Sequence, residues 1–142
     1  MNMDMFDKWS ELANMDLSAA ETLVYKGKDK DYISAMYHCQ QAVEKILKAY
    51  IFSALEKSER EYRIHDLVDL AECTELEMSE NMLMLIDGLN PMTREARYEI
   101  RISKILVQID FEIAKTYFLR TKEFLEWIGK KLYERQSGSQ NG

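Results

Sequence analysis

Residues 31–50 read DYISAMYHCQQAVEKILKAY. Within this stretch Met36, Val43, Leu47 and Tyr50, continued by Ala54, fall on one side of a 3.6-residue period. Ala35, Cys39, Ala42, Ile46 and Ala49 form an adjacent stripe of mostly small side chains, which lets a neighbouring helix approach closely. Ser34, His38, Gln41, Lys45 and Lys48 make a third, polar stripe. A helix with two apolar stripes and one polar stripe must be covered from more than one direction. The pattern predicts a long second helix over about Tyr32–Leu55. Asp29 and Asp31 precede it, and acids at a helix start interact well with the positive end of its dipole.

Working outward, Phe6, Trp9, Ala13, Leu17, Ala20 and Val24 recur at three or four residues and predict a first helix over about Asp4–Tyr25. Lys26-Gly27-Lys28 ends it, and the glycine suits a left-handed cap. Glu56–Arg63 is charged and unpatterned and reads as a loop. His65-Asp66-Leu67 opens a short third helix with Leu67, Leu70 and Ala71 facing inward. Ser79 is placed to cap a fourth, in which Met82, Leu83, Ile86 and Leu89 bury. Asn90-Pro91 is a turn. Ile102, Ile105, Ile109, Ile113, Tyr117, Phe124, Ile128 and Leu132 predict a last helix over about Ser103–Tyr133. Three long and two short amphipathic helices pack most economically as an all-α, antiparallel up-and-down bundle. Residues 1–134 form its single domain and residues 135–142 a flexible polar tail. The long helices are apolar over more than one stripe, so a homodimer through them is expected.

Composition agrees. One Pro and five Gly in 142 residues are too few breakers for an all-β chain. The hydrophobic fraction of 46% and charged fraction of 31% are those of a globular protein. Nineteen basic against 25 acidic residues, a net charge of −6, argue against a generally basic nucleic-acid coat but leave room for a local basic patch. No apolar run reaches membrane-spanning length, and Met1–Trp9 carries two acids where a signal peptide has an apolar core. Cys39 and Cys73 fit a reducing cytoplasm.

Few chemistries fit the motifs. The residues three before His38 and His65 are Ala35 and Tyr62, so the Glu-x-x-His pairs of di-iron bundles are absent. His38 and Cys39 are adjacent and diverge on a helix, so neither a metal nor another cofactor is expected. No nucleophile elbow or glycine-rich phosphate loop occurs. The segment Met92–Lys104 is more informative. Arg94, Arg97 and Arg101 recur at helical spacing around Tyr98. Interleaved Glu95 and Glu99 make internal ion pairs one reading. The other is a phosphate cradle with Tyr98 stacking on a base, which Lys45, Lys48 and His65 would join if the fold brings them near. His65-Asp66 reads either as a helix start satisfying free N–H groups or as a proton donor and acceptor to a phosphate or ribose hydroxyl.

At these residues the chain resembles the HEPN domain family, named for higher eukaryotes and prokaryotes nucleotide-binding. Asp31-Tyr32, Ala35–His38 and Gln40–Tyr50 resemble its long second helix. Ile64-His65-Asp66-Leu67 with Leu70 resembles its His-Asp-Leu helix start, and Ala96-Arg97-Tyr98 its Ala-Arg-Tyr segment. Trp9 and Ala13–Leu17 suit its first helix, so the match spans about residues 5–130. The resemblance implies a dimerising bundle. Many small prokaryotic members resemble the partner half of a two-gene, toxin–antitoxin-like module whose other half is a minimal nucleotidyltransferase. Others are metal-independent ribonucleases with Arg followed after four to six residues by His at the start of the last helix. Here no His follows Arg94, Arg97 or Arg101. The reading is therefore a non-catalytic module binding a nucleotide or RNA phosphate through His65, Arg94, Arg97, Tyr98 and Lys45. The alternative is a metal-independent endoribonuclease with Arg97 on the phosphate and His65 as general base.

Overall fold

The computed structural model describes residues 1–60, 63–92 and 109–141. They form five helices: α1 (Met3–Lys26), α2 (Asp29–Ala54), α3 (Leu67–Thr74), α4 (Glu80–Leu89) and α5 (Phe111–Asn141). No strand occurs among the described residues, and no helix there is long and apolar enough to cross a membrane. The chain is an all-α bundle, as its periodicities predict.

Helix α2 is the hub and packs against every other helix. Both apolar stripes read from its sequence are buried: Met36, Val43, Leu47 and Tyr50 on one, Ala35, Cys39, Ala42, Ile46 and Ala49 on the other. From Ala42 to Ala54 only Lys45 is not fully buried. Each large apolar side chain removed from water here contributes roughly 1.5–3 kcal/mol before chain entropy is counted. Helix α1 runs antiparallel to α2, since Asn2 N–H donates to the Ser53 carbonyl at 3.0 Å. Helix α5 begins beside the α1–α2 junction, where Phe111 meets Tyr25 and Tyr32, and Phe118 meets Tyr25 edge-on at 5.9 Å. Its later turns bury Phe124, Leu125, Ile128 and Leu132. The short pair α3–α4 covers the remaining side of α2 with Leu67, Leu70, Leu85, Ile86 and Leu89.

The caps follow local chemistry. Asp66 Oδ1 accepts from Asp69 N at 3.0 Å and starts α3. Ser79 Oγ accepts from Met82 N at 3.3 Å and starts α4. Asp31 accepts from Lys28 N at 2.9 Å at the head of α2.

Several expectations are corrected. Gly27 is extended (φ −88°, ψ 177°) rather than left-handed. A glycine is needed there for space, because a Cβ would lie 2.1 Å from the Leu23 carbonyl oxygen. The last helix does not yet include Ile109 and Asp110. Asp110 Oδ1 accepts from Ile113 N at 2.9 Å and so acts as its cap, which sends Ile113 outward at 41% exposure. Leu83 is 49% exposed, because the neighbours of α4 cover only the side carrying Leu85, Ile86 and Leu89. Helix α5 also runs through residues 135–141, which composition set apart as a polar tail. No proline interrupts them, and one glycine, Gly138, costs a helix only about 1 kcal/mol.

The close packing at Gly27 has a measurable consequence. Gly27→Ala should lower stability by about 1–3 kcal/mol in urea unfolding, because the turn must open to admit the methyl group.

Candidate functional site

The polar stripe of α2 does not face open water along its length. It lies partly enclosed, and its lysines are matched by Asp16 of α1 and by Glu44 of α2 itself, which His65 from the segment leading into α3 also meets. Two polar groups result.

The first joins α1 to the middle of α2. Asp16 is held between an imidazole and an ammonium: His38 Nδ1 donates to its Oδ1 at 2.8 Å and Lys45 Nζ to its Oδ2 at 2.5 Å. Burial alone would push the Asp16 carboxyl up. The hydrogen bonds from His38 and Lys45, with their charges, outweigh it and leave the group below its ordinary value of 3.8. Lys45, read from sequence as an anion ligand, thus has its ammonium on Asp16.

The second group lies at the C-terminal end of α2. Glu44 and Lys48 are one helical turn apart, with side chains 9% and 7% exposed, and meet at 3.3 Å. His65 Nδ1 donates to the same Glu44 oxygen, Oε2, at 3.3 Å. With Nδ1 turned to that carboxylate, Nε2 is the outer edge of a ring whose side chain is 72% exposed, and it accepts when the ring is neutral. The Lys48 ammonium also stands 5.9 Å from the Trp9 ring centroid. Trp9 Nε1 donates to Glu59 Oε1 at 3.2 Å, and Lys8 reaches that same oxygen at 3.3 Å. Together Trp9, Lys48, Phe52, Glu59, Arg63 and His65 line a depression of about 290 Å³. Arg63 is exposed and forms no ion pair among the described residues.

Asp66 and Asn90 set the position of His65. Asn90 Oδ1 accepts from Leu67 N at 2.8 Å, and its Nδ2 donates to Asp66 Oδ2 at 3.0 Å. The Asn90 amide and the Asp69 N–H hold the Asp66 carboxyl below its usual range. Asn90 thereby ties the end of α4 to the start of α3. It fixes the chain beside His65-Asp66 two residues before the described part of this segment ends at Met92. Arg94, Arg97 and Tyr98 lie outside the described residues.

The site thus has an aromatic face, an enclosed ammonium, an exposed guanidinium and an imidazole with a free acceptor edge. It has the parts to take a phosphate and a flat ring. No group of three His, Cys, Asp or Glu side chains able to hold a metal occurs among the described residues. Burial pushes the Cys39 thiol up to about 12, so it behaves as a small apolar side chain rather than a nucleophile.

Sequence reasoning found His65 and the polar stripe containing Lys48. It placed Trp9 in the core and passed over Glu44, Glu59 and Arg63. The Glu44–Lys48 pair was visible in principle, since an acid four residues before a lysine is a helical ion pair. Trp9 and Glu59 are separated by 50 residues, and no local spacing links them.

Two consequences follow from the enclosed charges. Glu44→Leu should cost about 3–5 kcal/mol in denaturant unfolding by leaving Lys48 enclosed and unmatched, and adding Lys48→Met should restore most of the loss. Asp16 is lowered in the folded state, so its contribution is present above 3.8 and is lost as pH falls through the folded value. Unfolding midpoints measured from about pH 5 down to about pH 3 should decline more steeply for the wild type than for Asp16→Asn.

A family model described as the HEPN domain matches residues 6–132, nearly the whole chain. No curated protein and no solved structure matches it. The second-helix pattern, the His-Asp-Leu start of α3 and the all-helical packing of the described residues agree with that match, and the chain belongs to the HEPN domain family, as a helical module of nucleotide- and RNA-related function.

Proposed function

We propose that this chain is a non-catalytic module that binds a nucleotide or RNA phosphate beside α3. The observation that carries this reading is the convergence of Lys48, Arg63 and His65 with half-buried Trp9 on one depression. An Arg or Lys supplies charge-assisted hydrogen bonds to phosphate oxygens, and an indole offers a stacking surface to any base. Arg94, Arg97 and Tyr98 follow closely in the chain after Asn90, which is bonded to Asp66, and they complete the phosphate contacts in this reading. Lys45 serves by holding Asp16, so the stripe beside the site keeps its shape.

The module acts as a homodimer through its long helices, and the exposure of Met15, Ile113, Leu119 and Tyr133 supports this. It works in the cytoplasm, in keeping with two free cysteines, and partners a minimal nucleotidyltransferase in a toxin–antitoxin-like pair. The family resemblance is the support for that partner.

One observation favours a second reading. His65 is oriented by a carboxylate, Glu44, with its other nitrogen outward, which is how a general base is prepared. A metal-independent endoribonuclease would use this histidine with Arg97.

A single titration separates the two. A labelled single-stranded RNA is added to the full chain in EDTA, and binding, RNA integrity and particle mass are followed together. Wild type should bind as a dimer without cutting. Arg63→Ala, Arg97→Ala and His65→Ala should each weaken binding about 5- to 20-fold, and Arg63→Ala, at an exposed position, should do so with the thermal midpoint unchanged. Cleavage that His65→Ala and Arg97→Ala abolish would make the chain a ribonuclease, and binding unchanged in all three variants would remove the site from this face.

A further inference from the structure

The α3–α4 hairpin carries a second surface of opposite character. Val68, Ala71, Leu76, Met78, Leu83 and Ile86 line a groove of about 380 Å³ between the two helices, and Glu72 and Asp87 complete its lining. None of these residues lines the depression over Trp9. Leu83 is 49% exposed, and Met84, next to it on α4, is 55% exposed. Periodicity would place Leu83 in the core, so an apolar residue has been left facing water beside an apolar floor.

Charge says what kind of group would cover it. From Ile64 to Met92 the sequence contains seven acidic residues and neither Lys nor Arg. This stretch of the chain therefore carries −7, against −6 for the whole molecule. None of the seven is ion-paired among the described residues, whereas Asp16, Glu44, Glu56, Glu59 and Glu134 all are. An apolar groove with unmatched carboxylates in its walls suits an apolar stripe flanked by cations.

We propose that this groove docks a cationic amphipathic helix of a partner protein, with its apolar side chains on Leu76, Met78, Leu83 and Ile86 and its Lys or Arg side chains on Glu72 and Asp87. The walls are two helices, and no strand edge is available among the described residues, so helix-in-groove docking is the fitting mode. Met78 and Met84 are flexible enough to adjust to different apolar knobs. Nucleic acid is disfavoured because its phosphates would meet unmatched carboxylates. A second copy seated groove to groove is disfavoured for the same reason. A two-fold axis would set −7 against −7. The inference does not depend on the phosphate site, since the two surfaces share no lining residue.

The test uses the full chain and a fluorescent helical peptide of about 14 residues, roughly 21 Å long, with Leu at i, i+3 and i+7 and Lys or Arg on the flanks. A control peptide carries Glu in place of each cation. The cationic peptide should bind, and binding should weaken as salt rises from about 0.1 to about 0.5 M. The doubly reversed variant Glu72→Lys with Asp87→Lys should weaken it at least about tenfold and favour the Glu control peptide instead. Leu83→Ser, at an exposed position, should also weaken it about fivefold with the thermal midpoint unchanged. Failure of the cationic peptide to bind wild type, or equal binding to wild type and the doubly reversed variant, would overturn the proposal. So would conversion of a dimer to a monomer by Leu83→Ser, which would show a second copy on the groove. RNA binding measured on the same variants should not change, which separates this outcome from failure of the phosphate site.

Discussion

Glu44 and Lys48 form an ion pair on α2, the helix against which every other described helix packs. Removing both ions from water costs several kcal/mol each, and their attraction offsets this only when the remaining donors and acceptors are satisfied. That demand organises the whole end of the bundle. Trp9 of α1 lies against the ammonium, Glu59 holds the indole N–H, and His65 comes to the carboxylate from the other side. Asp66 and Asn90 then lock the segment that carries His65. The helices are held together by apolar burial, but the register of this end is set by the pair.

The same logic explains why the stripe of α2 is split into two. Asp16 pairs with Lys45 and hydrogen-bonds His38 in the upper half, and Glu44 pairs with Lys48 and hydrogen-bonds His65 in the lower half. Both histidines of the chain are thus tied to carboxylates through Nδ1, but to different ends. His38 is built into the α1–α2 seam. His65 is 72% exposed, and only it has an edge available to a ligand. A family named for nucleotide binding therefore meets, in this chain, one surface whose cations and aromatic ring converge and another, on α3–α4, from which cations are absent. Charge is thus distributed unevenly over one small domain, with Lys48, Arg63 and His65 beside Trp9 and Glu72 and Asp87 in the α3–α4 groove.

Much of this was legible in the residues. The two apolar stripes of α2, the Asp66 and Ser79 caps and the all-α class follow from spacings of three and four residues and from local hydrogen bonding. The family was legible too, because its second-helix pattern is long and ordered. Orientation was not. Leu83 and Ile113 fit the apolar period of their helices, yet both face outward, because a period says which residues share a side and not how much of that side a neighbour covers. Gly27 suggested a left-handed turn, and only the packed junction shows that the glycine is there to clear the Leu23 carbonyl.

The sequence by itself determined that the chain is helical, where α3 and α4 begin, that α2 carries two apolar stripes, and which residue types carry charge. The tertiary structure alone decided which charges meet. Lys45 and Lys48 stand three residues apart on the same polar stripe, and only Lys48 has an acid, Glu44, one turn before it. One is matched by Asp16, 29 residues away, and the other is enclosed beneath Trp9 with Glu44 and His65. Partners brought together over such separations depend on how rigid helices are set against one another. That setting follows from the sum of core packing and enclosed ion pairs, which no short window of sequence contains.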